Sequence, residues 1–384
     1  MKRIEINPYN CCGCTACSTV CPKGAITMQP NVMGFLYPVI DDNKCIDCGL
    51  CAKTCQFNDH YKRYNNFDTP VIYGIRHKDE KELDKSQSGA ASWAIIEAFL
   101  QEHGSVYGAA FQTVYHVAHS KACSLEDAQK FRYSKYVQSD LRGIFTDVKN
   151  ELLEGCRVLF FGTGCQIAGL KAAIPDKLQD KLMTVDIVCH ACPSPAVWES
   201  FVRYVEEKNQ RKVRSAAFRN KRFGWHSHIE TLGLENTTQE IESISFRKLF
   251  YDHVIVRPSC TKCYFTNMQR VGDMTICDFW GWEKYYTEWN DNKGVSVLML
   301  NSQKGKEFFE ALKPFILYKD SDSEKCMQPQ MKAPIIANMS IIRDAEKVFA
   351  KKGYLGLAKK YGNQSLAFLF KEAVRPVLHF LRIR

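Results

Sequence analysis

The stretch CCGCTACSTVCP at residues 11–22 decides the fold, because four of its cysteines are separated by two, two and three residues and precede a proline. The same cysteine spacing recurs in CIDCGLCAKTC at residues 45–55. Each run contains a glycine, Gly13 or Gly49, and a loop that wraps around a bulky group needs backbone that can adopt positive φ. The eight cysteines at this spacing are Cys11, Cys14, Cys17, Cys21, Cys45, Cys48, Cys51 and Cys55. A duplicated run of this kind predicts two metal clusters held by thiolates.

The spacing is that of bacterial two-cluster ferredoxins, in which each [4Fe–4S] cube takes three thiolates from one run and the fourth from the other run. The alternative is a pair of zinc knuckles, but zinc would need two Cys-x2-Cys pairs per ion and not a run of three closed by a longer gap. We therefore predict two [4Fe–4S] clusters and transfer of single electrons. The first set of ligands is Cys11, Cys14, Cys17 and Cys55, and the second set is Cys21, Cys45, Cys48 and Cys51.

Three details accompany these runs. Gln56 stands where a second proline often follows the last cysteine. The span between Cys21 and Cys45 is long, and residues 28–42 within it are expected to form a hairpin. Cys12 is an additional cysteine, which we expect to be a spectator.

The composition of the whole chain limits its class. At 384 residues, with 45% apolar and 24% charged residues, the chain is expected to form two or three ordinary globular domains. Its eighteen cysteines lie mostly at metal-site spacings, and the start MKRIEINPYN is not an apolar signal segment. We therefore expect a cytoplasmic protein with thiols as ligands and not as disulfides. No apolar run approaches the ~18 residues of a membrane span.

The net charge does not indicate a nucleic-acid partner. The formal value is +10, and three bound clusters of about −2 each would reduce it to about +4. The sequence also lacks a basic stripe with interleaved aromatic residues, so we expect no nucleic-acid binding.

The chain divides into three predicted parts. Residues 1–62 form the ferredoxin module, residues 70–330 form a larger domain, and residues 331–384 form a helical extension. In the larger domain strand-like segments alternate with helix-like segments, which argues for an α/β or α+β domain. Cys165 and Cys189 each follow a strand-like segment, where loops at one end of a sheet can converge.

The last predicted helix, at residues 366–384, is apolar on one face and basic on the other. Such a helix can lie on an anionic membrane surface and would then place the protein at the inner face of the membrane. The favoured alternative is that its apolar face packs on the protein's own domain.

Six stretches of the larger domain carry a resemblance to a known family. They are SQSGAASWAI at 86–95, SKYVQS at 134–139, VLFFGTGCQIAGL at 158–170, DIVCHACPSP at 186–195, FRNKRFGW at 218–225 and CTKCYFTNMQRVGDMTICDFWG at 260–281. With these stretches the chain resembles the beta subunit family of coenzyme F420 hydrogenases and dehydrogenases, in the version with an N-terminal ferredoxin module. The resemblance implies an α+β protein with a ferredoxin-type module, a larger α/β flavin domain and C-terminal helices. It also implies an FAD and a third [4Fe–4S] cluster.

The resemblance also implies site residues, position by position. Lys221 and His190 are candidates for catalysis, although a histidine beside a ligand cysteine is as often a hydrogen-bond donor to sulfur. Cys192 and Cys277 stand where the family usually has valine and glycine, and we interpret both as buried small residues while they remain alternative ligands. The third set of cluster ligands is Cys165, Cys189, Cys260 and Cys263. The flavin-side residues are Ser86, Ser88, Gly89, Ser134, Lys135, Gly162 and Thr163.

We therefore predict an iron–sulfur flavoprotein oxidoreductase. It would pass electrons between a ferredoxin or other redox partner protein and a small organic two-electron substrate, F420-like or other. The alternative is an electron-transfer subunit without its own substrate, which feeds a partner enzyme, for example in polysaccharide biosynthesis. A third interpretation is a structural cluster protein that has lost its flavin site, because Ala90, Tyr133 and Gly164 depart from the family's loops.

Overall fold

The computed structural model describes residues 3–57 and 66–362, so the predicted helix at 366–384 lies outside the described residues. The strands are β1 (Ile26–Pro30), β2 (Leu36–Ile40), β3 (Val71–His77), β4 (Ser105–Thr113), β5 (His116–Ala122), β6 (Val158–Thr163), β7 (Leu182–Ile187), β8 (Val213–Ala217), β9 (Glu230–Leu234), β10 (Glu240–Ser243), β11 (Met274–Asp278), β12 (Ser296–Leu300) and β13 (Ile316–Ser321). The helices are α1 (Ala16–Thr19), α2 (Leu50–Thr54), α3 (Glu80–Asp84), α4 (Ala91–Leu100), α5 (Leu125–Ala128), α6 (Ile144–Leu153), α7 (Gly164–Ala173), α8 (Pro195–Asn209), α9 (Ser245–Tyr251), α10 (Gln303–Leu312), α11 (Ser323–Cys326) and α12 (Met339–Tyr361).

The N-terminal region consists of two short helices and one hairpin. Strands β1 and β2 pair antiparallel, with Ile26 opposite Ile40, which confirms the hairpin expected between the two cysteine runs. Gly13 and Gly49 have φ of +70° and +74°, as expected for loops that turn sharply around the thiols. Helices α1 and α2 follow these turns and pack against each other.

The large sheet has eight strands in the order β13-β3-β12-β11-β7-β6-β4-β5. Its centre is parallel, since β4 pairs with β6, β6 with β7 and β7 with β11 in the same direction. The strands outside this centre pair antiparallel. The carboxyl ends of the four parallel strands therefore lie along one edge of the sheet.

Helices cover this sheet and create separate apolar cores. Helix α4 is buried along most of its length, with Trp93, Ile95 and Phe99 at most 3% exposed, because strands of a parallel sheet are covered on both faces. A second core joins α8, α9 and α12 to the smaller sheet β10-β9-β8. The molecule is thus an α+β protein, with a ferredoxin-like N-terminal region, a larger α/β region and a C-terminal helix, α12.

The structure differs from the sequence patterns at two places. The patterns at 106–111 and 114–119 are typical of paired strands, and these strands are β4 and β5, but the turn between them falls at Val114 and Tyr115, so β5 starts two residues later. Strands β8, β9 and β10 were not predicted, because their sequences are short and mixed in polarity, and only their packing on α8 and α9 buries them. Strand pairing over long sequence separations decides such segments.

The N-terminal region docks on helix α7 through a glycine. A Cβ atom built on Gly169 would lie 2.7 Å from Cys14 Sγ and 2.8 Å from Cys14 Cβ. These distances are shorter than van der Waals contact, so the loop of the first cysteine run can approach α7 only where the helix has no side chain.

We predict that Gly169→Ala destabilises the protein by about 1–3 kcal/mol through overpacking, although alanine is the better helix former by about 1 kcal/mol. Urea unfolding followed by circular dichroism measures the difference. Ala172→Val, at a half-buried position of the same helix, is the control and should change little. A Gly169→Ala protein that is as stable as the unmodified chain would contradict the docking contact.

Candidate iron–sulfur and cofactor site

The cysteines of the first set surround a small cavity between the two N-terminal helices. Its volume is about 80 Å³, and all four predicted thiols line it together with Phe57. Three of them come from the loop before α1 and from α1 itself, and the fourth follows directly after α2. The chain therefore brings the two distant runs together in the crossed arrangement that the ferredoxin spacing predicts.

The cysteines of the second set surround another small cavity, nearer the surface. All four line a space of about 20 Å³. Cys48 is exposed, and Asp47 Oδ1 lies 3.8 Å from Cys45 Sγ. Each predicted set is thus assembled by the fold, and four thiols around a common space are the donors that a cube requires. Ligation by these residues stays a prediction.

The third set forms where two parallel strands end. Cys165 lies in the first turn of α7, directly after β6, and Cys189 follows β7. Hydrogen bonding to Cys192 lowers the pKa of Cys189, but burial raises it and the net value lies above the usual one. Three neighbouring thiols raise this pKa further, those of Cys260, Cys165 and Cys263. The four predicted ligands of the third set therefore lie together.

Cys192 lies within the same group of thiols. Its backbone N–H donates to Cys260 Sγ at 3.3 Å, and the side chain is 8% exposed. The third set and Cys192 thus make five neighbouring thiols where a cube takes four, so Cys192 stays an alternative ligand. Cys277 is placed differently, at the end of β11, where Gln328 Nε2 donates to its sulfur at 3.3 Å.

Cys12, which was expected to be a spectator, forms part of the contact between the first and third sets. A hydrogen bond with Cys14 raises the pKa of its buried thiol, and one with Cys165 lowers it, with a net value well above the usual one. Gln56 Nε2 donates to Cys12 Sγ at 3.1 Å and to the carbonyl of Cys165 at 2.8 Å. The unusual glutamine after the second run therefore joins the ferredoxin loop to helix α7.

Among the described residues, no three histidine, cysteine, aspartate or glutamate side chains converge on one point as the ligands of a single metal ion do.

A large cavity lies beside the third set, along the carboxyl ends of β6, β7 and β11. Its volume is about 780 Å³, and Cys189 and Cys192 form part of its wall. Apolar walls with a few polar groups and a volume of roughly 300–1,000 Å³ are typical of organic cofactor sites. Six of the residues predicted for the flavin or for catalysis line it, namely Ser88, Ser134, Lys135, Gly162, Thr163 and His190.

The other three predicted residues hold the loop beside the cavity. Ser86 Oγ accepts a hydrogen bond from Arg132. The N–H of Gly89 donates to Ser296 Oγ at 2.9 Å, and a Cβ atom on Gly89 would lie 2.2 Å from a strand carbonyl. Lys221 Nζ donates to the carbonyls of residues 83, 86 and 88. Its catalytic role stays a prediction, since the amine is directed at backbone oxygens.

Burial shifts the pKa values of two predicted site residues in the cavity wall, Lys135 and His190. Burial lowers the pKa of Lys135 to about 7, while its Nζ donates to the carbonyls of Lys130 at 3.0 Å and Arg132 at 2.6 Å. Burial also lowers the pKa of His190 to about 4, assisted by the neighbouring His253. The Nε2 atoms of these two histidines are 2.9 Å apart.

Sequence reasoning did not single out two further groups in the wall. Arg219 is 4% exposed and forms an ion pair with Asp278 at the end of β11. His119 donates from Nε2 to the carbonyl of Phe161 at 2.8 Å and accepts from Ser139 at Nδ1. Arg219 lies in the family-like stretch at 218–225 but received no role there, and His119 belongs to no local motif. Each acquires its neighbours only when β5, β6 and β11 come together.

Comparison with known families agrees with this arrangement. Residues 155–319 match the family model that describes the C terminus of the coenzyme F420 hydrogenase/dehydrogenase beta subunit. Residues 10–58 match the 4Fe-4S dicluster domain. This chain is therefore an iron–sulfur electron-transfer protein related to the F420 hydrogenase beta subunit, and the resemblance inferred from its motifs is confirmed.

The chain is also similar to a solved structure, the F420-reducing [NiFe] hydrogenase complex from Methanosarcina barkeri, determined with xenon derivatization. The match has a TM-score of 0.47 and 17% identity, and covers 76% of this chain and 92% of the other. No curated protein matches the chain. None of the described helices is long and apolar enough to cross a membrane.

We predict that His119 makes stability depend on pH. Burial lowers its pKa to about 4 in the folded protein, whereas an unfolded chain has a histidine pKa of about 6.5. The unfolded state therefore binds more protons as the pH falls below about 6.5, and stability decreases.

Between pH 7.5 and 5.5 we expect this histidine to account for a loss of roughly 1 kcal/mol, measured by urea unfolding at both pH values. His119→Gln keeps a donor for the Phe161 carbonyl and should abolish that part of the loss. His116→Gln, at a half-exposed position of the same strand, should leave it in place. An identical pH dependence in all three proteins would show that His119 is not the responsible group.

Proposed function

We propose that the chain is an iron–sulfur flavoprotein oxidoreductase that exchanges electrons between a protein redox partner and an organic two-electron substrate, such as an F420-like deazaflavin. When bound, the clusters would supply single-electron transfer and the FAD would exchange electron pairs with the substrate. The observation that carries the proposal is the cavity of about 780 Å³ whose wall includes Cys189 of the third set.

The three cysteine sets follow one another through the molecule, which supports a route for electrons between surface and cavity. The second set lies nearest the surface, with Cys48 exposed. The first set lies deeper and contacts α7 at Gly169. Cys12 and Gln56 join the first set to Cys165. The third set adjoins the cavity, so the chain arranges its thiols in a continuous order.

The surface around the second set supports docking of the partner protein there. Ile46 and Leu50, on either side of Cys48, are 58% and 42% exposed. Exposed apolar residues around an accessible thiol are the features that a transient redox partner would cover, since such interfaces are small. Electrons would then enter or leave at the second set, where Cys48 is exposed.

The cavity residues fit an FAD. Serine and threonine hydroxyls at Ser88, Ser134 and Thr163 provide polar contacts within a mainly apolar wall. Lys135 is fixed by two carbonyls, and with a pKa of about 7 it exists in both charge states at neutral pH. This amine can therefore hold or release a proton beside the bound group. His190 stays the second candidate for proton transfer.

We predict about 12 iron atoms per anaerobically purified chain, at four per cluster. Cys165→Ser should leave about eight, because a cube with only three thiolates is labile, and reduced ferredoxin should no longer bleach the flavin. Cys123→Ser, at an exposed cysteine outside the three sets, is the control and should retain all the iron. Full iron content in Cys165→Ser would remove Cys165 from the third set and make Cys192 the next candidate.

We predict that Ser92→Phe blocks FAD binding. Ser92 is on α4 and lines the cavity, so a phenyl ring there would occupy the space of the cofactor and weaken binding at least about tenfold. Released flavin per chain is measured by fluorescence, with iron content as a check that the clusters are intact. Ser92→Ala should bind FAD normally. If the unmodified chain, reconstituted with FAD, retains none, the protein is instead an electron-transfer subunit without flavin chemistry.

A further inference from the structure

Five arginines are buried in the described part of the chain, and four of them have a carboxylate partner. The pairs are Arg76 with Asp291, Arg132 with Glu82, Arg219 with Asp278 and Arg270 with Asp186. Arg257 is the most buried of the five, at 1% exposure. Within residues 3–57 and 66–362, no carboxylate forms an ion pair with it.

The guanidinium of Arg257 is instead surrounded by neutral groups of the ferredoxin loop. Its Nε donates to the carbonyl of Cys11 at 2.7 Å and its Nη2 to the carbonyl of Leu36 at 2.8 Å. Its Nη1 donates to Gln138 Oε1 at 2.9 Å. Its Nη2 also lies 3.7 Å from Cys11 Sγ, a thiol of the first set. The rings of Tyr37 and Phe35 cover it at 4.3 and 5.4 Å.

The backbone of the same residue is tied to the third set. The N–H of Arg257 donates to the carbonyl of Cys192 at 2.8 Å, and the carbonyl of Arg257 accepts from the N–H of Cys260 at 3.0 Å. The loop of the first set is shaped for this approach, since a Cβ atom on Gly13 would lie 2.8 Å from Arg257 Nη1. Arg257 therefore places one fixed positive charge between two cysteine sets.

A buried cation without a counter-charge is strongly unfavourable. The nearest source of negative charge is the first set itself, because four thiolates around a cube carry a total of about −2. The four other buried arginines indicate that this fold otherwise pairs such cations with carboxylates. The missing carboxylate at Arg257 is thus accounted for if the cluster supplies the negative charge.

We propose that Arg257 is the buried counter-ion of the first-set cluster and raises its reduction potential. Reduction adds one electron, from a protein donor or from dithionite, and forms or breaks no bond, so the total charge changes from about −2 to about −3. A fixed cation stabilises the more negative state more strongly, and the low dielectric of the interior enhances the effect. An added electron is therefore stabilised on the first-set cluster, which lies next to the third set.

In the described region, the second set has no buried arginine beside it, and the guanidinium of Arg3, which hydrogen-bonds to the thiol of Cys45, is partly exposed and paired with Asp42. The basic residues that line its cavity are Arg3 and Lys23, and Arg3 has a side chain that is 41% exposed while Lys23 is exposed. Water and salt screen such charges. Arg257 therefore acts on the first-set cluster and not on the second-set cluster. The inference rests on the proposed cluster ligands, which the iron content of the unmodified chain tests separately.

The test is a redox titration of the full anaerobic chain with dithionite, followed by electron paramagnetic resonance. The signal that Cys11→Ser removes or alters belongs to the first-set cluster. For Arg257→Gln we expect the ratio of reduced to oxidised first-set cluster at a fixed potential to fall at least about tenfold, which corresponds to 59 mV for one electron. Arg257→Lys keeps the positive charge, so its first-set cluster should have a potential close to that of the unmodified protein.

Two further variants complete the test. Gln138→Glu gives Arg257 a carboxylate partner and should lower the potential in the same direction as Arg257→Gln. Arg203→Gln makes the same charge change at a surface arginine with a 54% exposed side chain and should leave the potential unchanged.

The outcomes separate the effect of the positive charge of Arg257 from the effect of its side-chain shape. Loss of the first-set iron from Arg257→Gln but not from Arg257→Lys would also support a counter-ion. The proposal is overturned if Arg257→Gln and Gln138→Glu leave the potential unchanged. It is equally overturned if the potential of the first-set cluster falls as far in Arg257→Lys as in Arg257→Gln, or if Arg257→Lys loses the same iron. An unmodified chain with about four iron atoms or fewer would refute the ligand assignment itself.

Discussion

The close contact between the first cysteine loop and helix α7 is the constraint on which the rest of the arrangement depends. Cys14 fits against a helix position without a side chain, Gly169, and Gln56 joins Cys12 to the backbone of Cys165. Transfer of single electrons weakens steeply with distance, so two cluster sites are useful to each other only when the protein holds them close. A ferredoxin module attached only by a linker would not meet this condition.

The direction of the parallel strands determines where the third set and the large cavity lie. Because β6, β7 and β11 run the same way, the loops that carry Cys165 and Cys189 leave the sheet at one edge, where ligands bind in open α/β sheets. The large cavity lies at this edge, and its wall includes Cys189 of the third set and the neighbouring Cys192. The residues that do not line the cavity, such as Lys221, hold the loop at its side. Position in the sheet and not residue type decides which group can meet a bound molecule.

Buried charge is treated in two ways in this protein. Arg219 and Arg270 are neutralised by aspartates at the ends of neighbouring strands, as burial of an ion requires. Arg257 has only neutral partners and one thiol. The contrast has physical meaning because both kinds of arginine are almost fully buried in the same molecule. A cation that is unpaired in this way is suited to a neighbour whose negative charge changes during function.

The sequence by itself predicted the cluster chemistry and determined the crossed grouping of the cysteines of the two runs, because ligand spacing and turn-forming glycines are local properties. The resemblance of its motifs to a known family indicated the α+β class. The sequence also indicated that Cys165 and Cys189 end strands. Only the tertiary structure decided that Cys12 and Gln56 join two cysteine sets, that His119 and Arg219 line the cavity, and that Arg257 is buried beside Cys11. Gln56 lies 44 positions from Cys12 in the sequence, and Arg257 lies 246 positions from Cys11. Contacts over such separations arise from strand order and helix packing, which no local spacing encodes.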